Sequence, residues 1–243
     1  MLEHILRGKN LEKRWWRPLP AQNELAIVLE HVKKFYDGYV KPIKVFEDVN
    51  LKIRKGEFVA AVGPTGCGKT TLINLIAGFD HPQNGNIYVE GVNITKLKED
   101  EITVFRAKNI GVVFQLHNLI PNLTVQENVE LPLVLLGVDR EVRKRRVEEV
   151  LKQTWISHHS DRKVATLSVG ECQLVSIARA LAPNPSIILM DEPLECLDAL
   201  TTDMMLAFFK GEVFRRKTVL ITTHKKKVIQ LAERVIHLKK KLP

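Results

Sequence analysis

A glycine-rich loop at residues 63–71 carries the residue types that bind phosphate groups. Its glycines allow tight turns that bring backbone N–H groups close to phosphate oxygens. Lys69 adds a positive charge for the outer phosphates, and Thr70 offers a hydroxyl to Mg²⁺. The residues predicted to contact a phosphorylated ligand are Gly63, Pro64, Thr65, Gly66, Cys67, Gly68, Lys69, Thr70 and Thr71. The loop therefore predicts a nucleotide site with magnesium.

The residues on either side of this loop predict a strand before it and a helix after it. Residues 57–62 form an apolar run typical of a buried strand, and residues 72–76 carry an i, i+3, i+4 apolar stripe closed by Gly78. A helix that starts at such a loop points its positive end at a bound anion. The alternative, a glycine turn that only joins two elements, is disfavoured by the spacing, the Lys-Thr pair and this context together.

Polar residues stand at the ends of three other predicted strands. They are Gln115, the pair Asp191 and Glu192, and His224, and each follows a short apolar run. Strands alternate with helices in this part of the chain, so the sheet is predicted to be parallel and covered on both faces. Because ligands of such sheets gather outside the carboxyl ends of the strands, we expect these side chains near the phosphate loop.

The types of these four side chains fit the transfer of a phosphoryl group to water. That reaction needs cradled phosphates, a metal ion and a positioned water. Asp191 is predicted to hold Mg²⁺ and Glu192 to act as the general base. His224 is expected to hydrogen-bond the terminal phosphate, and Gln115 to bind Mg²⁺ or the water. Taken alone, the Asp-Glu pair would be a turn or helix cap and His224 a loop histidine.

The first part of the chain predicts an antiparallel layer. Alternating apolar residues occur near 27–29 and 49–53, and a further run at 87–89 follows a Gln-Asn-Gly turn. Tyr36 is expected between the first two strands. It is either an aromatic that stacks on a base or a loop aromatic half-buried against its own sheet.

Residues 116–182 predict a helical region with no strong strand pattern. Two amphipathic faces stand out, the first of them preceded by the charged run 139–146. The first face consists of Val147, Val150, Leu151 and Trp155, and the second of Leu174, Ile177, Ala178 and Leu181. Residues 1–24 are expected to form an N-terminal extension, and residues 25–243 the main domain.

Residues 167–171, Leu-Ser-Val-Gly-Glu, are not explained by a simple phosphate-loop enzyme. Ser168 can cap the start of the following helix, and Glu171 stands three residues on, as in a capping box. A helix N-terminus with a hydroxyl and a glycine is also an anion site. The stretch is therefore either only a cap or a second half-site for the terminal phosphate, with Ser168 and Gly170 contributed by another copy of the chain.

Composition limits the class of protein. The length of 243 residues fits one large α/β domain or two small ones, and three widely spaced cysteines argue against a disulfide framework. We expect neither a secretory signal nor a membrane-spanning stretch. The net charge of +9 would favour anionic surfaces, although the lysine clusters are more simply solvated surface.

The motifs together resemble the ATP-binding subunit of an ABC transporter over about residues 25–240. The matching segments, in chain order, are Tyr36 for the adenine-stacking aromatic, residues 63–71 for Walker A, Gln115 for the Q-loop, 167–171 for the LSGGQ signature, 187–192 for Walker B with its glutamate, 195–198 for the D-loop with Asp198, and His224 for the switch histidine. Residues 110–129 are similar to the lipoprotein-release and macrolide-export group. Residues 190–193 and 197–201 look more like the nitrate, sulfonate and taurine importers.

Several positions depart from the family pattern. Val169 replaces the first signature glycine, Glu171 replaces the glutamine, and Glu195 and Cys196 replace small D-loop residues. A β-branched residue is costly where the backbone needs positive φ, so Val169 is expected to stiffen or distort the half-site. These changes leave ATP binding expected and put efficient hydrolysis in question.

The resemblance implies an α/β fold with a P-loop NTPase core, a mostly parallel sheet covered by helices, an antiparallel β layer and a helical subdomain at about 116–182. It implies an ATPase that uses ATP and Mg²⁺, pairs head to tail with a second ATP-binding subunit, and powers a separate transmembrane permease from the cytoplasmic face of the membrane as a peripheral subunit. No nucleic-acid partner is expected. Two alternatives stay open: a nucleotide-binding regulatory module with little hydrolysis, and a soluble ABC ATPase acting on nucleic acid or ribosomes.

Overall fold

Two sheets form the framework of the protein. The computed structural model describes residues 24–38, 41–195 and 197–239. A four-stranded antiparallel sheet has the order β2-β1-β4-β5, and a five-stranded parallel sheet has the order β6-β7-β8-β3-β9. The strands are β1 (Leu25–Tyr36), β2 (Ile43–Arg54), β3 (Phe58–Val62), β4 (Asn84–Val89), β5 (Val92–Asn93), β6 (Ile110–Val113), β7 (Ile187–Asp191), β8 (Thr218–Thr222) and β9 (Arg234–His237).

Eight α-helices lie in the described residues. They are α1 (Lys69–Ala77), α2 (Glu99–Asn109), α3 (Val125–Leu135), α4 (Arg140–Gln153), α5 (Val169–Leu181), α6 (Ala199–Lys210), α7 (Glu212–Arg215) and α8 (Lys226–Ile229). Short 3-10 helices occur at Ile94–Lys96, Ser157–His159 and Val164–Thr166. In that part of the chain, no helix is both long and apolar enough to cross a membrane.

The three central strands of the parallel sheet are buried on both faces, as their continuous apolar runs predict. Every residue of β3, β7 and β8 is buried. Along β7, Ile188 and Met190 pack into the core shared with α3, α4, α5 and α6. Their neighbours Ile187 and Leu189 pack into the core shared with α1, α2 and the antiparallel sheet. The period-2 alternation of a strand thus divides the interior into two cores.

The register of the parallel strands sets the position of the polar residues at their ends. In the pairing of β7 with β8, Asp191 stands opposite Thr222. Strand β3, which leads into the phosphate loop, pairs with β8 on one side and β9 on the other. The carboxyl ends of β3, β7 and β8 therefore meet at one edge of the sheet, where the site is expected.

The helical region contains one difference from the sequence prediction. The charged run 139–146 forms the N-cap and first turns of α4: the Asp139 side chain accepts a hydrogen bond from the N–H of Glu141 at 2.9 Å. Trp155 is not on the helix face: it follows the end of α4 with φ 56° and is 43% exposed. Val147 is buried as predicted, because its spacing places it on the inner face.

The limits of the domains stay a prediction. Helices α3, α4 and α5 lie within 116–182, the stretch predicted to be helical, and residues 1–23 of the predicted extension lie outside the described part of the chain. Tyr36 is the last residue of β1 rather than a residue between strands.

Gly78 offers a test of the packing between α1 and α2. It caps the C-terminus of α1 with φ 67°, and a Cβ there would lie 2.1 Å from Cδ1 of buried Ile102. We expect Gly78→Ala to lower the free energy of unfolding by about 2–4 kcal/mol, through left-handed strain and overpacking together. Urea unfolding would measure this change. The control is Gly91→Ala, which has φ 78° but nothing within 4 Å of the added Cβ. An equal loss in both variants would contradict the overpacking contribution.

Candidate functional site

A cavity of about 630 Å³ lies at the carboxyl ends of the parallel strands. It brings together the phosphate loop and three of the four predicted strand-end residues. Its lining consists of Val45, Gly63, Pro64, Thr65, Gly66, Gly68, Lys69, Thr70, Thr71, Gln115, Glu192, Glu195 and His224. Of the residues predicted in the loop, only Cys67 is absent from the lining, because its side chain is buried beneath it. Asp191 is also buried, directly behind the cavity wall.

The loop leaves the N-terminus of α1 open towards the cavity. Gly66 and Gly68 have φ of 78° and 98°, values that an L-residue adopts only at a cost. No side chain in the described residues caps α1, and its first turn contains no acidic residue. The first N–H groups of a helix have no partner within the helix, so this end of α1 can bind an anion.

The ammonium of Lys69 lies within the loop and is largely shielded from solvent. Its Nζ donates to the carbonyl oxygen of Gly63 at 2.9 Å and lies 3.4 Å from Oε1 of Glu192. Only 13% of the Lys69 side chain is exposed. A positive charge therefore lies at the N-terminus of α1, where it strengthens anion binding by the backbone N–H groups.

Thr70 and Asp191 meet although they lie 121 residues apart in the chain. The Thr70 hydroxyl donates to Oδ2 of Asp191 at 2.7 Å, and the Thr222 hydroxyl donates to Oδ1 at 2.6 Å. Asp191 is 4% exposed, and in the described residues no cationic group lies within 4.0 Å of its carboxylate. A buried carboxylate satisfied only by hydroxyls favours a cation beside it.

Glu192 is held in an unusual backbone conformation. Its φ is 43°, and its N–H donates to both the carbonyl oxygen and the hydroxyl of Thr222, at 3.2 and 3.0 Å. The carboxylate lies between an imidazole and an ammonium, with Oε2 at 3.2 Å from Nδ1 of His224 and Oε1 facing Lys69. Its side chain is 10% exposed and lines the cavity, so the carboxylate faces the site.

A family-wide sequence profile described as ABC transporter matches residues 46–195. That range spans the loop, the Q-loop glutamine, the signature stretch and the Asp191–Glu192 pair. The chain belongs to the ABC transporter family. Proteins that are similar to this chain over most of its length belong to the same family. An uncharacterized ABC transporter ATP-binding protein of Methanocaldococcus jannaschii, MJ0796, is 41% identical over 88% of this chain and 93% of its own length.

Two further comparisons give the same result for this ABC cassette. The lipoprotein-releasing system ATP-binding protein LolD of Bacteroides thetaiotaomicron is 36% identical over 87% of this chain and 96% of its own length. A solved dimeric structure of a post-hydrolysis state of the MJ0796 cassette, bound to ADP and Pi, superposes with a TM-score of 0.82 at 40% identity, over 87% of this chain and 94% of that chain. The predicted family, the predicted fold class and the predicted ATPase activity of an ATP-binding subunit are confirmed.

The signature stretch of the cassette forms the start of α5. Ser168 is the N-cap, its Oγ accepts from the N–H of Glu171, and Glu171 in return accepts from the N–H of Ser168 at 2.7 Å. These hydrogen bonds, with the backbone N–H of Ser168 first, lower the pKa of Glu171. Nε2 of His159 also donates to the Glu171 carboxylate, at 2.8 Å. The predicted capping box is present, with Glu171 acting in place of the usual glutamine.

The strain expected at Val169 is absent. Val169 is the first residue of α5, has no positive φ, and is 51% exposed. The first turn of a helix accepts a β-branched residue without the clash that a left-handed position would impose.

The predicted ligand contacts of the signature stretch, together with Asp198, lie outside the cavity. Neither Ser168 nor Gly170 lines it, and Ser168 is exposed on the surface. Asp198 is exposed as well and caps α6, where it accepts from the N–H of Thr201 at 2.9 Å, and this hydrogen bond lowers the pKa of Asp198. Within one chain the structure therefore brings the Walker residues together and leaves Ser168, Gly170 and Asp198 apart from them.

Tyr36 is anchored beside the loop by a network that the sequence did not reveal. Its hydroxyl donates to Asp80 at 2.7 Å and reaches Thr71 at 3.4 Å. Lys34, only 5% exposed, donates to Asp80 at 2.6 Å and lies 4.6 Å from the centroid of the Tyr36 ring. Partial burial raises the pKa of Tyr36. The ring is fixed at both its edge and one face, although it does not line the cavity.

Sequence reasoning missed two residues that organise the site. Thr222 holds both Asp191 and the backbone of Glu192, and its position opposite Asp191 could be found only from the strand register. Arg179 on α5 donates to the carbonyl oxygens of His117 and Asn118 at 2.7 and 2.6 Å. Burial lowers the pKa of Arg179 to about 10. It connects the signature helix to the segment that follows Gln115.

Proposed function

We propose that this ATPase works as one half of a head-to-tail pair and powers transport through a separate membrane subunit. The observation that carries the proposal is the division of the site: the Walker residues line the cavity, whereas Ser168 and Gly170 lie elsewhere on the surface of the same chain. A second copy could supply them across the bound nucleotide. The dimeric state of the MJ0796 cassette supports this arrangement.

In the proposed site, the loop N–H groups and Lys69 bind the triphosphate. Magnesium fits the oxygen donors beside them, because it prefers carboxylate and hydroxyl oxygens together with phosphates. Thr70, Asp191 and Gln115 would hold it, and it would neutralise charge on the phosphate oxygens. The hydroxyls of Thr70 and Thr222 already satisfy Asp191, so the carboxylate is oriented before any ligand arrives.

Glu192 is the proposed general base for the attacking water. Its carboxylate lies at the cavity wall in a backbone conformation enforced by Thr222, which fixes the direction of the side chain. Lys69 and His224 contact the carboxylate at 3.4 and 3.2 Å and hold it at the cavity wall, where it can accept a proton from water. His224, 57% exposed, is free to turn towards the terminal phosphate once Lys69 engages the ligand.

The two copies are proposed to bind each other more tightly with ATP between them than with the products of hydrolysis. ATP offers its terminal phosphate to the Walker residues of one copy and to Ser168 and Gly170 of the other, with Asp198 at the same interface. Hydrolysis removes these shared contacts, so the pair separates, and this difference in free energy can shift the conformation of a partner. Tyr36 is proposed to stack on the adenine through the ring face that Lys34 leaves free.

The membrane partner is proposed to dock on the helical region 116–182, which would place the cassette at the cytoplasmic face as a peripheral subunit. Support comes from the relative named as the ATP-binding protein of a lipoprotein-releasing system. Exposed apolar residues on this region also fit a protein contact: Leu116, Ile120, Val134 and Leu135. Arg179 would transmit changes at α5 to the Q-loop segment.

Light scattering with a slowly hydrolysed ATP analogue and Mg²⁺ tests the head-to-tail pair. We expect the apparent mass to double with nucleotide. Ser168→Glu should abolish the doubling while the chain still binds nucleotide, because a carboxylate at the half-site repels phosphate. Ser157→Glu, at the exposed start of another short helix, is the matched control. A dimer that persists in Ser168→Glu would overturn the proposed arrangement.

A further inference from the structure

Glu195 stands where the family has a small D-loop residue, and its side chain reaches the nucleotide cavity. It follows Glu192 by three residues, and its N–H donates to the Glu192 carbonyl oxygen at 3.2 Å. This turn directs the Glu195 carboxylate to the cavity rim beside Gln115 and Glu192. The site therefore contains a third carboxylate besides those of Asp191 and Glu192.

The Glu195 carboxylate fixes the orientation of the Gln115 amide. Nε2 of Gln115 donates to Oε2 of Glu195, although 80 residues separate the two in the chain. An ionised carboxylate only accepts hydrogen bonds, so the amide nitrogen must be the atom that faces it. The amide oxygen is thereby left for other partners. That oxygen is the atom through which a glutamine binds a hard cation.

In the described part of the chain, no basic side chain pairs with the Glu195 carboxylate. The basic side chains in the cavity lining, Lys69 and His224, are both directed at Glu192. Across residues 24–38, 41–195 and 197–239, no Lys, Arg or His nitrogen lies within 4.0 Å of the Glu195 carboxylate. An unneutralised carboxylate opposes a bare polyphosphate and favours one that carries a divalent cation.

We propose that Glu195 is a positioning residue for Gln115, and that its charge makes this cassette discriminate against nucleotide without a divalent cation. The proposal rests on the proposed function of the cavity and adds to it a residue that departs from the family pattern. The proposal has two separable parts. The hydrogen bond from Gln115 to Glu195 fixes the orientation of the Gln115 amide, and the charge of Glu195 favours nucleotide that carries a divalent cation over nucleotide without one.

Two variants separate the charge from the hydrogen bond. Glu195→Gln removes the charge, but its side-chain oxygen can still accept from Gln115; Glu195→Ala removes both. We expect Glu195→Gln to tighten binding of a fluorescent ATP analogue in EDTA by about fivefold and to change it less than about twofold with Mg²⁺. Glu148→Gln, an exposed acid on α4, is the charge-matched control and should change neither value. An unchanged ratio of the two affinities in Glu195→Gln would overturn the charge part.

A double-mutant cycle tests the positioning part. We expect Glu195→Ala and Gln115→Ala each to lower kcat by about tenfold, and the double variant to lower it no further, because the two side chains act as one unit. Glu195→Gln should retain most of kcat. The positioning part would be overturned if the double variant lost about 100-fold in kcat, the product of the two single effects. It would also be overturned if Glu195→Gln were as slow as Glu195→Ala.

The same measurements distinguish this inference from the proposed function. If the unaltered chain binds the analogue and Lys69→Ala weakens that binding, the nucleotide site stands whatever Glu195 does. If neither holds, the proposed site itself fails, and the Glu195 variants would show no magnesium-dependent difference in affinity.

Discussion

Glu192→Gln is expected to lower the rate of ATP hydrolysis by about 10²–10⁴-fold while ATP remains bound. An amide cannot accept a proton from the attacking water, yet it has the size and shape of the carboxylate. The backbone should be unaffected, because the bonds that hold it run from the Glu192 N–H to Thr222 and do not involve the side chain. Phosphate release and equilibrium binding of a fluorescent ATP analogue would measure the two quantities separately.

The matched control for this variant is Glu148→Gln, which makes the same chemical change on the exposed face of α4. Its turnover should equal that of the unaltered chain. Because hydrolysis is slowed and binding is kept, Glu192→Gln should also accumulate the ATP-bound dimer. Turnover at the normal rate in this variant would remove Glu192 from the mechanism and leave its strained backbone, φ 43°, unexplained.

Lys69→Ala is expected to weaken ATP binding by at least about 30-fold, because a buried ammonium that contacts phosphate contributes ~2 kcal/mol or more. The side chain is 13% exposed and already lies among the loop carbonyls, so little reorganisation is needed for it to meet the ligand. Loss of the ammonium also leaves the Glu192 carboxylate with His224 alone. An equilibrium titration with the labelled nucleotide, with and without Mg²⁺, would measure the change.

Lys152→Ala serves as the control for the lysine variant, since Lys152 lies exposed near the end of α4 and outside the cavity lining. It should bind nucleotide as the unaltered chain does. Equal affinity in Lys69→Ala and Lys152→Ala would show that the ammonium does not hold the ligand, and the phosphate-loop interpretation would fail with it.

Local features of this protein could be predicted because the interactions that make them are local. The phosphate loop needs nine consecutive residues and the start of one helix, and the capping box of α5 needs only Ser168 and Glu171 at a spacing of three. The strands β3, β7 and β8 could be predicted from their continuous apolar runs, since a strand buried on both faces needs no polar positions. These segments carry most of the chemistry.

Errors arose at single positions. The spacing from Leu151 predicts Trp155 on the helix face, but α4 ends at Gln153 and Trp155 follows it with φ 56°. At Val169 the sequence comparison suggested backbone strain, but that position is simply the first turn of α5. Tyr36 was identified as a potential stacking residue, yet nothing in its neighbours along the chain pointed to Lys34 and Asp80 as its supports.

The sequence by itself determined the family, the phosphate loop, and the set of side chains that could perform hydrolysis. Only the tertiary structure decided which hydrogen bonds hold these side chains in place. Thr70 and Thr222 donate to Asp191, Glu192 donates to Thr222 through its backbone N–H, and Gln115 donates to Glu195. Two of these contacts join residues 121 and 80 positions apart, and the contacts of Thr222 with Asp191 and Glu192 join residues 31 and 30 positions apart. Strand register and the folding of distant loops onto one edge of the sheet create them, and no spacing along the chain encodes such distances.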